Sequence, residues 1–356
     1  MIVYYIYAWK KTAPFSKESA ENTNSENPFV SIIIPARNEE EHILTCINSI
    51  YNQNYLKSGF EVIVIDDHST DATVLLVSNL QYQNVKIVSL AEKQFGKKAA
   101  ITVGINQSVG DIIITTDADC IREKEWLHAI ISHYGCTKSK MIVSPVLLTG
   151  ENTLLEKMQS QEMTILTSVA CASIKNNKPI LCSGANLIFE RAAFLSVNGY
   201  DGNENYASGD DIFLMLKIQK AFPGQISYLK SLAAAVYTMP QSGPVDTYKQ
   251  RKRWASKTFS YGFSHITLIA ILVFLANFLI LFSGIMSAIN LKFVLVPIIC
   301  FSAKLLVDFM FLFTASKFFN KKVYPFTFII ASVFYPIYVS TIGLIAPFFT
   351  FTWKGR

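Results

Sequence analysis

The chain has 356 residues, 51% of them hydrophobic, and carries a formal net charge of +6. A mean hydropathy of +0.31 is too apolar for an ordinary soluble protein, so part of the chain belongs in lipid. The positive charge is uneven: residues 1–248 hold 20 basic against 25 acidic side chains, which excludes a basic nucleic-acid-binding surface there, whereas 249–257 hold five cations and no acid. Six cysteines show neither a CxxC pair nor a spacing with histidine, so neither a zinc site nor a disulfide framework is indicated, and a reducing setting fits.

Residues 1–9 are apolar but too short to cross a bilayer, and they lack a signal peptide's basic start and cleavage site. They read as an interfacial stub or the remnant of a longer helix. Residues 12–28, rich in Ser, Asn and Glu without an apolar period, read as a flexible tether. From Phe29 onward short β-branched runs recur at 30–34, 61–65, 85–88, 111–115 and 141–146. Helix-forming stretches separate them at 39–50, 72–80, 99–107 and 124–133. This alternation predicts an α/β domain with a mostly parallel sheet over 29–248, whose ligand site gathers at the carboxyl ends of the strands.

Carboxylates stand at three of those strand ends. Pro35-Ala36-Arg37-Asn38-Glu39 follows the first run, Asp66-Asp67-His68-Ser69-Thr70-Asp71 the second, and Asp117-Ala118-Asp119 the fourth. Each alone is better read as helix capping. Together they can bind a divalent cation through oxygen, and magnesium or manganese held this way also ligates substrate phosphates. No Gly-rich phosphate loop is present, so a metal and the downstream cations must meet any phosphate. Gly209-Asp210-Asp211 offers a further carboxylate pair, with an N-cap for a helix over 212–221 as the plainer reading. The histidines are scattered and read as surface or packing residues. The stretch 151–177 reads as a helix, either packed on the sheet or lying at a membrane surface.

Gln250-Arg251-Lys252-Arg253-Trp254 marks the boundary to the apolar part, and 249–263 reads as an interfacial basic segment: a membrane-surface anchor or a phosphate site. Three stretches beyond it, 266–289, 293–313 and 325–349, are each long enough to cross a bilayer, which makes 264–356 a membrane domain. Five cations precede the first span, and Lys317, Lys321 and Lys322 lie between the second and third. Lys292, Lys354 and Arg356 fall on the other side. That bias predicts a multi-pass cell-membrane protein with its sheet domain in the cytosol and its C-terminus outside. Lys304 and Asp308, four residues apart in the second stretch, share a helix face as a neutralised pair or as a contact for a charged lipid or sugar.

In its order of motifs, Pro35–Glu39, Asp66–Asp71, Gly96-Lys97, Asp117–Asp119, Ser183-Gly184-Ala185-Asn186, Gly209–Asp211 and Gln250–Trp254, the chain resembles the inverting family 2 glycosyltransferases of GT-A fold. The resemblance covers about 29–254. It implies a hexosyl-type transfer from a UDP-sugar with Mg²⁺ or Mn²⁺. Pro35, Arg37, Glu39, Asp66, Asp67, Lys97, Asp117 and Arg253 would serve the donor; Asp117 and Asp119 the metal; Gln250, Trp254, Gly184 and Asn186 the acceptor. Asp211, with Asp210 beside it, would be the general base. A lipid acceptor fits three spans with few polar side chains better than a growing glycan does. A processive polysaccharide synthase and a catalytically inactive, membrane-tethered nucleotide-sugar-binding protein are the alternatives.

Overall fold

The computed structural model describes residues 1–15, 28–202, 209–255 and 264–345. The tether's centre, the interfacial segment beyond Ala255 with Lys257, and the end of the third span with Lys354 and Arg356 lie outside the described residues. The chain divides into a sheet unit, Ala8–Thr149 with Val169–Met239, and a helical unit, Met1–Tyr7 with Gly150–Ser168 and Pro240–Arg356. The first helix, α1 (Ile2–Lys11), contributes residues to both.

In the sheet unit, β1 (Val30–Ala36), β2 (Phe60–Asp66), β3 (Val85–Ser89) and β4 (Ile112–Thr115) lie in the order β3-β2-β1-β4, all parallel. The crossovers carry α2 (Ile43–Tyr51), α3 (Thr73–Ser78) and α4 (Gly96–Asn106). β1 is buried along its whole length, as a β-branched run enclosed on both faces must be. Ile32, Ile34, Val62, Val64, Ile114, Ile47 and Trp126 meet in one apolar core.

The short β5 (Ile121–Arg122) and α5 (Trp126–Thr137) come next in the chain. The run expected as one strand at 141–146 is two: β6 (Met141–Val143) joins the large sheet, and β7 (Val146–Leu148) a small one. The break falls at Ser144-Pro145, where proline has no N–H for a ladder. β8 (Leu187–Glu190) runs antiparallel between β4 and β6, and β9 (Ile226–Tyr228) closes the edge beside β6. β10 (Val236–Thr238) pairs with β5 and β7. The long α6 (Leu154–Lys175) precedes β8, and α7 (Arg191–Ser196) and α8 (Asp210–Ala221) follow it. The first helix after β1 starts at Ile43 rather than 39, because 37–42 are stitched to the next strand-end loop.

The helical unit contains α9 (Pro244–Ala255) and three helices long and apolar enough to cross a membrane: α10 (His265–Ile289), α11 (Leu295–Phe318) and α12 (Pro325–Ile345). Large apolar side chains such as Leu279, Ile299 and Phe313 face outward, as lipid-facing residues do. α10 packs against both α11 and α12, and Gly343 has no room for a side chain against Phe274. Lys304 and Asp308 do form a pair, at 2.5 Å, with the Lys304 ammonium 4.9 Å from the Tyr335 ring. Gly150–Ser168, expected in the sheet domain, belongs to the helical unit. Its side chains bond there: Gln159 to Gln241, Glu162 to Arg251, and Glu151 to Lys321 and Tyr324.

Candidate active site

The carboxyl ends of β1, β2 and β4 bring the acidic motifs together. Asp66 spends its carboxylate on the turn, accepting from the Ser69 N–H at 3.2 and 3.4 Å, and Asp71 caps Thr73 while accepting from the Glu40 N–H. Asp67 differs. It is 1% exposed; one oxygen accepts from the Gly96 N–H at 3.0 Å, and the other, Oδ1, is buried with no hydrogen-bond partner among the described residues. A buried carboxylate oxygen left unpaired is costly, and a ligand N–H would satisfy it. Gly96 aims its N–H with φ at +89°, a region where other residues are strained. Arg37 and Glu39 are half-buried on the neighbouring loop, whereas Pro35 is buried inside β1.

Lys97, the second residue of α4, stands at the centre. Its ammonium lies 2.5 Å from Asp117 Oδ1 and 4.0 Å from Asp210 Oδ2. Burial pulls its pKa down, but the carboxylates of Asp117 and Asp210 outweigh this and raise it, so the cation is held charged. The resemblance assigns Lys97 to the donor; in the structure it links the β4 turn to the α8 start. Asp210 is buried and Asp211 half-exposed. Asp211 Oδ2 accepts from the Gly184 N–H at 3.2 Å. Gly184 itself is packed so closely that a Cβ there would sit 3.2 Å from both Asp210 Oδ2 and Lys97 Nζ. Thr115 ties this turn to β4 by donating to the Gly184 carbonyl at 2.9 Å.

Asn186, expected to touch an acceptor, cannot. It is fully buried, donates to the Pro145 and Ala234 carbonyls at 2.8 and 2.9 Å, and accepts from Trp126 Nε1 at 3.1 Å. Its capacity is spent on joining β8 to its neighbours.

Asp119 accepts from Thr238 Oγ1 at 2.8 Å. Behind the same turn the buried Arg122 donates to Thr116 Oγ1 at 3.1 Å and to the Cys120 carbonyl at 2.9 Å. Neither Thr238 nor Arg122 was legible as part of the site, since neither lies in a motif. Among the described residues no three His, Cys, Asp or Glu side chains converge as a closed metal site. Asp117 and Asp119, both on the turn after β4, are carboxylates of the kind that Mg²⁺ or Mn²⁺ takes as oxygen ligands.

In the helical unit, the Gln250–Trp254 segment lies on α9. Arg251 is 5% exposed; it donates to Glu162 Oε2 at 3.0 and 2.6 Å and to Gln250 Oε1 at 2.6 Å, and lies 4.2 Å from the Trp254 ring centre.

Residues 31–196, slightly less than half of the chain, match the family described as Glycosyl transferase family 2. Among curated relatives, Glycosyltransferase AglE of Haloferax volcanii is 37% identical over 127 residues, 35% of this chain and 41% of that one. The dolichyl N-acetyl-alpha-D-glucosaminyl phosphate 3-beta-D-2,3-diacetamido-2,3-dideoxy-beta-D-glucuronosyltransferase of Methanococcus voltae is 29% identical over 172 residues, 47% of this chain and 50% of that one. The chain thus spans about half the length of these relatives. The solved mannosyltransferase PcManGT of Pyrobaculum calidifontis superposes with a TM-score of 0.61 at 17% identity, covering 97% of this chain and 93% of that one, a likeness of fold. The sheet unit has the GT-A-like architecture.

Proposed function

We propose that this chain is a membrane-bound inverting glycosyltransferase that moves a hexose from a UDP-sugar to a lipid acceptor with the help of Mg²⁺ or Mn²⁺. The observation that carries the reading is the cluster of Lys97, Asp117, Asp210, Asp211 and Gly184 at one end of the sheet, beside the unpaired oxygen of Asp67.

In this reading Asp67 Oδ1 accepts an N–H from the uracil, and Arg37 and Glu39 border the same loop. Asp117 and Asp119 hold the metal, which supplies positive charge to the diphosphate when bound. Asp211, the more exposed acid of its pair, takes the proton of the acceptor hydroxyl as that oxygen bonds to the anomeric carbon and the bond to the UDP oxygen breaks. A single base with one displacement inverts the configuration. Lys97 and Arg253 offset the charge of the departing diphosphate, and Gln250 and Trp254 meet the acceptor.

A lipid acceptor is supported by the named activity of the Methanococcus relative. The spans support it too: Lys304 and Asp308 neutralise each other, and Asn277 is 2% exposed, leaving little with which one copy could line a sugar tunnel. The sheet unit is assigned to the cytosol from the cation bias. Purified protein offered a panel of UDP-sugars with a membrane lipid extract tests the reading. Short, organic-extractable glycolipid is expected. Long aqueous polymer would make it a processive synthase, and no turnover with any donor would leave a binding protein.

A further inference from the structure

Two oxygens of one carboxylate are chemically equal until something distinguishes them, and the terminal torsion of aspartate is broad enough to exchange them. At Asp119 the structure distinguishes them. Thr238 Oγ1 donates to Oδ2 at 2.8 Å from a position 119 residues further along the chain, and among the described residues Oδ1 meets only the weak thiol donor of Cys120 at 3.6 Å. The hydroxyl is carried on fixed backbone. Thr238 ends β10, whose register pairs Val236 with Arg122 and Tyr237 with Ile121, immediately after the Asp117–Asp119 turn. Its carbonyl accepts from Thr149 N at 2.8 Å and Thr149 Oγ1 at 3.2 Å.

We infer that Thr238 is a positioning residue for the metal: it fixes the Asp119 carboxylate with Oδ1 presented to the cation. The inference rests on the donor reading above. Asp117 already has its Oδ1 engaged by Lys97, so a cation competes with an ammonium there, whereas Asp119 is oriented by Thr238 and pairs with no ammonium among the described residues. The orientation of Asp119 therefore governs how well the pair holds metal, in the way outer partners of metal ligands generally do.

The test uses the full chain in detergent micelles with saturating UDP, following free Mn²⁺ by its electron paramagnetic resonance signal. T238V keeps the shape of threonine and removes the donor; it is expected to weaken Mn²⁺ binding by about 10–100-fold, the usual cost of losing such a partner. T238S, which restores the hydroxyl, should return close to the wild-type affinity. Thermal melting confirms that each variant is folded. Wild-type affinity in T238V would overturn the inference. So would T238S binding as poorly as T238V, because then the methyl's packing rather than the hydroxyl matters. D119N serves as the reference for a lost ligand. If wild-type protein takes up no Mn²⁺ with UDP, and D119N is indistinguishable from it, the donor reading falls first and takes this inference with it.

Discussion

Arg251 and Glu162, 89 residues apart, are joined by two hydrogen bonds to a single carboxylate oxygen, and the same guanidinium stacks on Trp254 and holds the amide of Gln250. The arginine that fixes this segment of α9 is thus Arg251, two residues before Arg253. Removing one partner of a buried ion pair costs far more than the pair contributes, because the other charge is stranded. Arg251→Ala is expected to cost about 3 kcal/mol of stability, read as a lowered melting temperature in detergent. Glu162→Gln should cost less, since its side chain is 34% exposed and an amide oxygen still accepts.

Asp211→Asn removes the proposed base and leaves the Lys97–Asp117 contact intact. Transfer should fall by about 10²–10⁴-fold with UDP affinity retained, measured by turnover and by titration. Asp210→Asn acts through Lys97, to which Asp210 lies at 4.0 Å, and should disturb donor affinity more than Asp211→Asn does. Reversed effects would exchange the two roles.

At Gly184 an added methyl would come within 3.2 Å of both Lys97 and Asp210. Gly184→Ala should therefore leave a folded protein in which those two groups are pushed aside. Turnover should drop at least tenfold, the equivalent of about 1.4 kcal/mol, with little change in melting temperature. Undiminished turnover would show that the cluster tolerates looser geometry than its packing implies.

His133 supplies a pH dependence. Burial lowers its pKa from 6.5 to about 4; one ring nitrogen faces Ser227 Oγ at 3.0 Å and the other is buried with no hydrogen-bond partner among the described residues. The unfolded chain takes up a proton below its ordinary pKa, while the folded one resists until near 4, so stability falls as pH drops through that window. By about pH 5 the loss from this group amounts to about 2 kcal/mol. A His133→Gln protein should melt with a shallower acid dependence than the wild type between about pH 7 and 5, whatever other groups contribute to both.

The proposed topology is open to a reporter assay. Within the helical unit Glu151 accepts from Lys321 at 3.1 Å, Tyr324 at 3.0 Å and Ser160 at 2.6 Å, which anchors the loop between α11 and α12. A reporter inserted at 317–322 should read as cytosolic and one fused after Arg356 as external. The opposite reading at either position would remove a span or reverse the orientation.

The parallel core was legible because its signal is local: buried β-branched runs alternate with helix formers, and strand-end acids follow them. The three apolar helices were legible from length alone. Three features were not. β8, β9 and β10 are three or four residues each, too short for periodicity, and exist through their partners. The saturated burial of Asn186 depends on Pro145, Ala234 and Trp126, none of which its own motif reveals. Thr238 reaches Asp119 only because β10 crosses to β5, a relation without any sequence pattern.

Lys230 donates to the carbonyls of Trp9 and Thr12 at 2.7 and 2.9 Å and lies 3.9 Å from the Trp9 ring centre, so the end of α1 is capped by a cation 221 residues downstream of Trp9. During synthesis that bond cannot form until the ribosome has added the intervening chain, about 10–45 s at ordinary elongation rates. The last turn of α1 is therefore clasped by Lys230 only after β9 has been made.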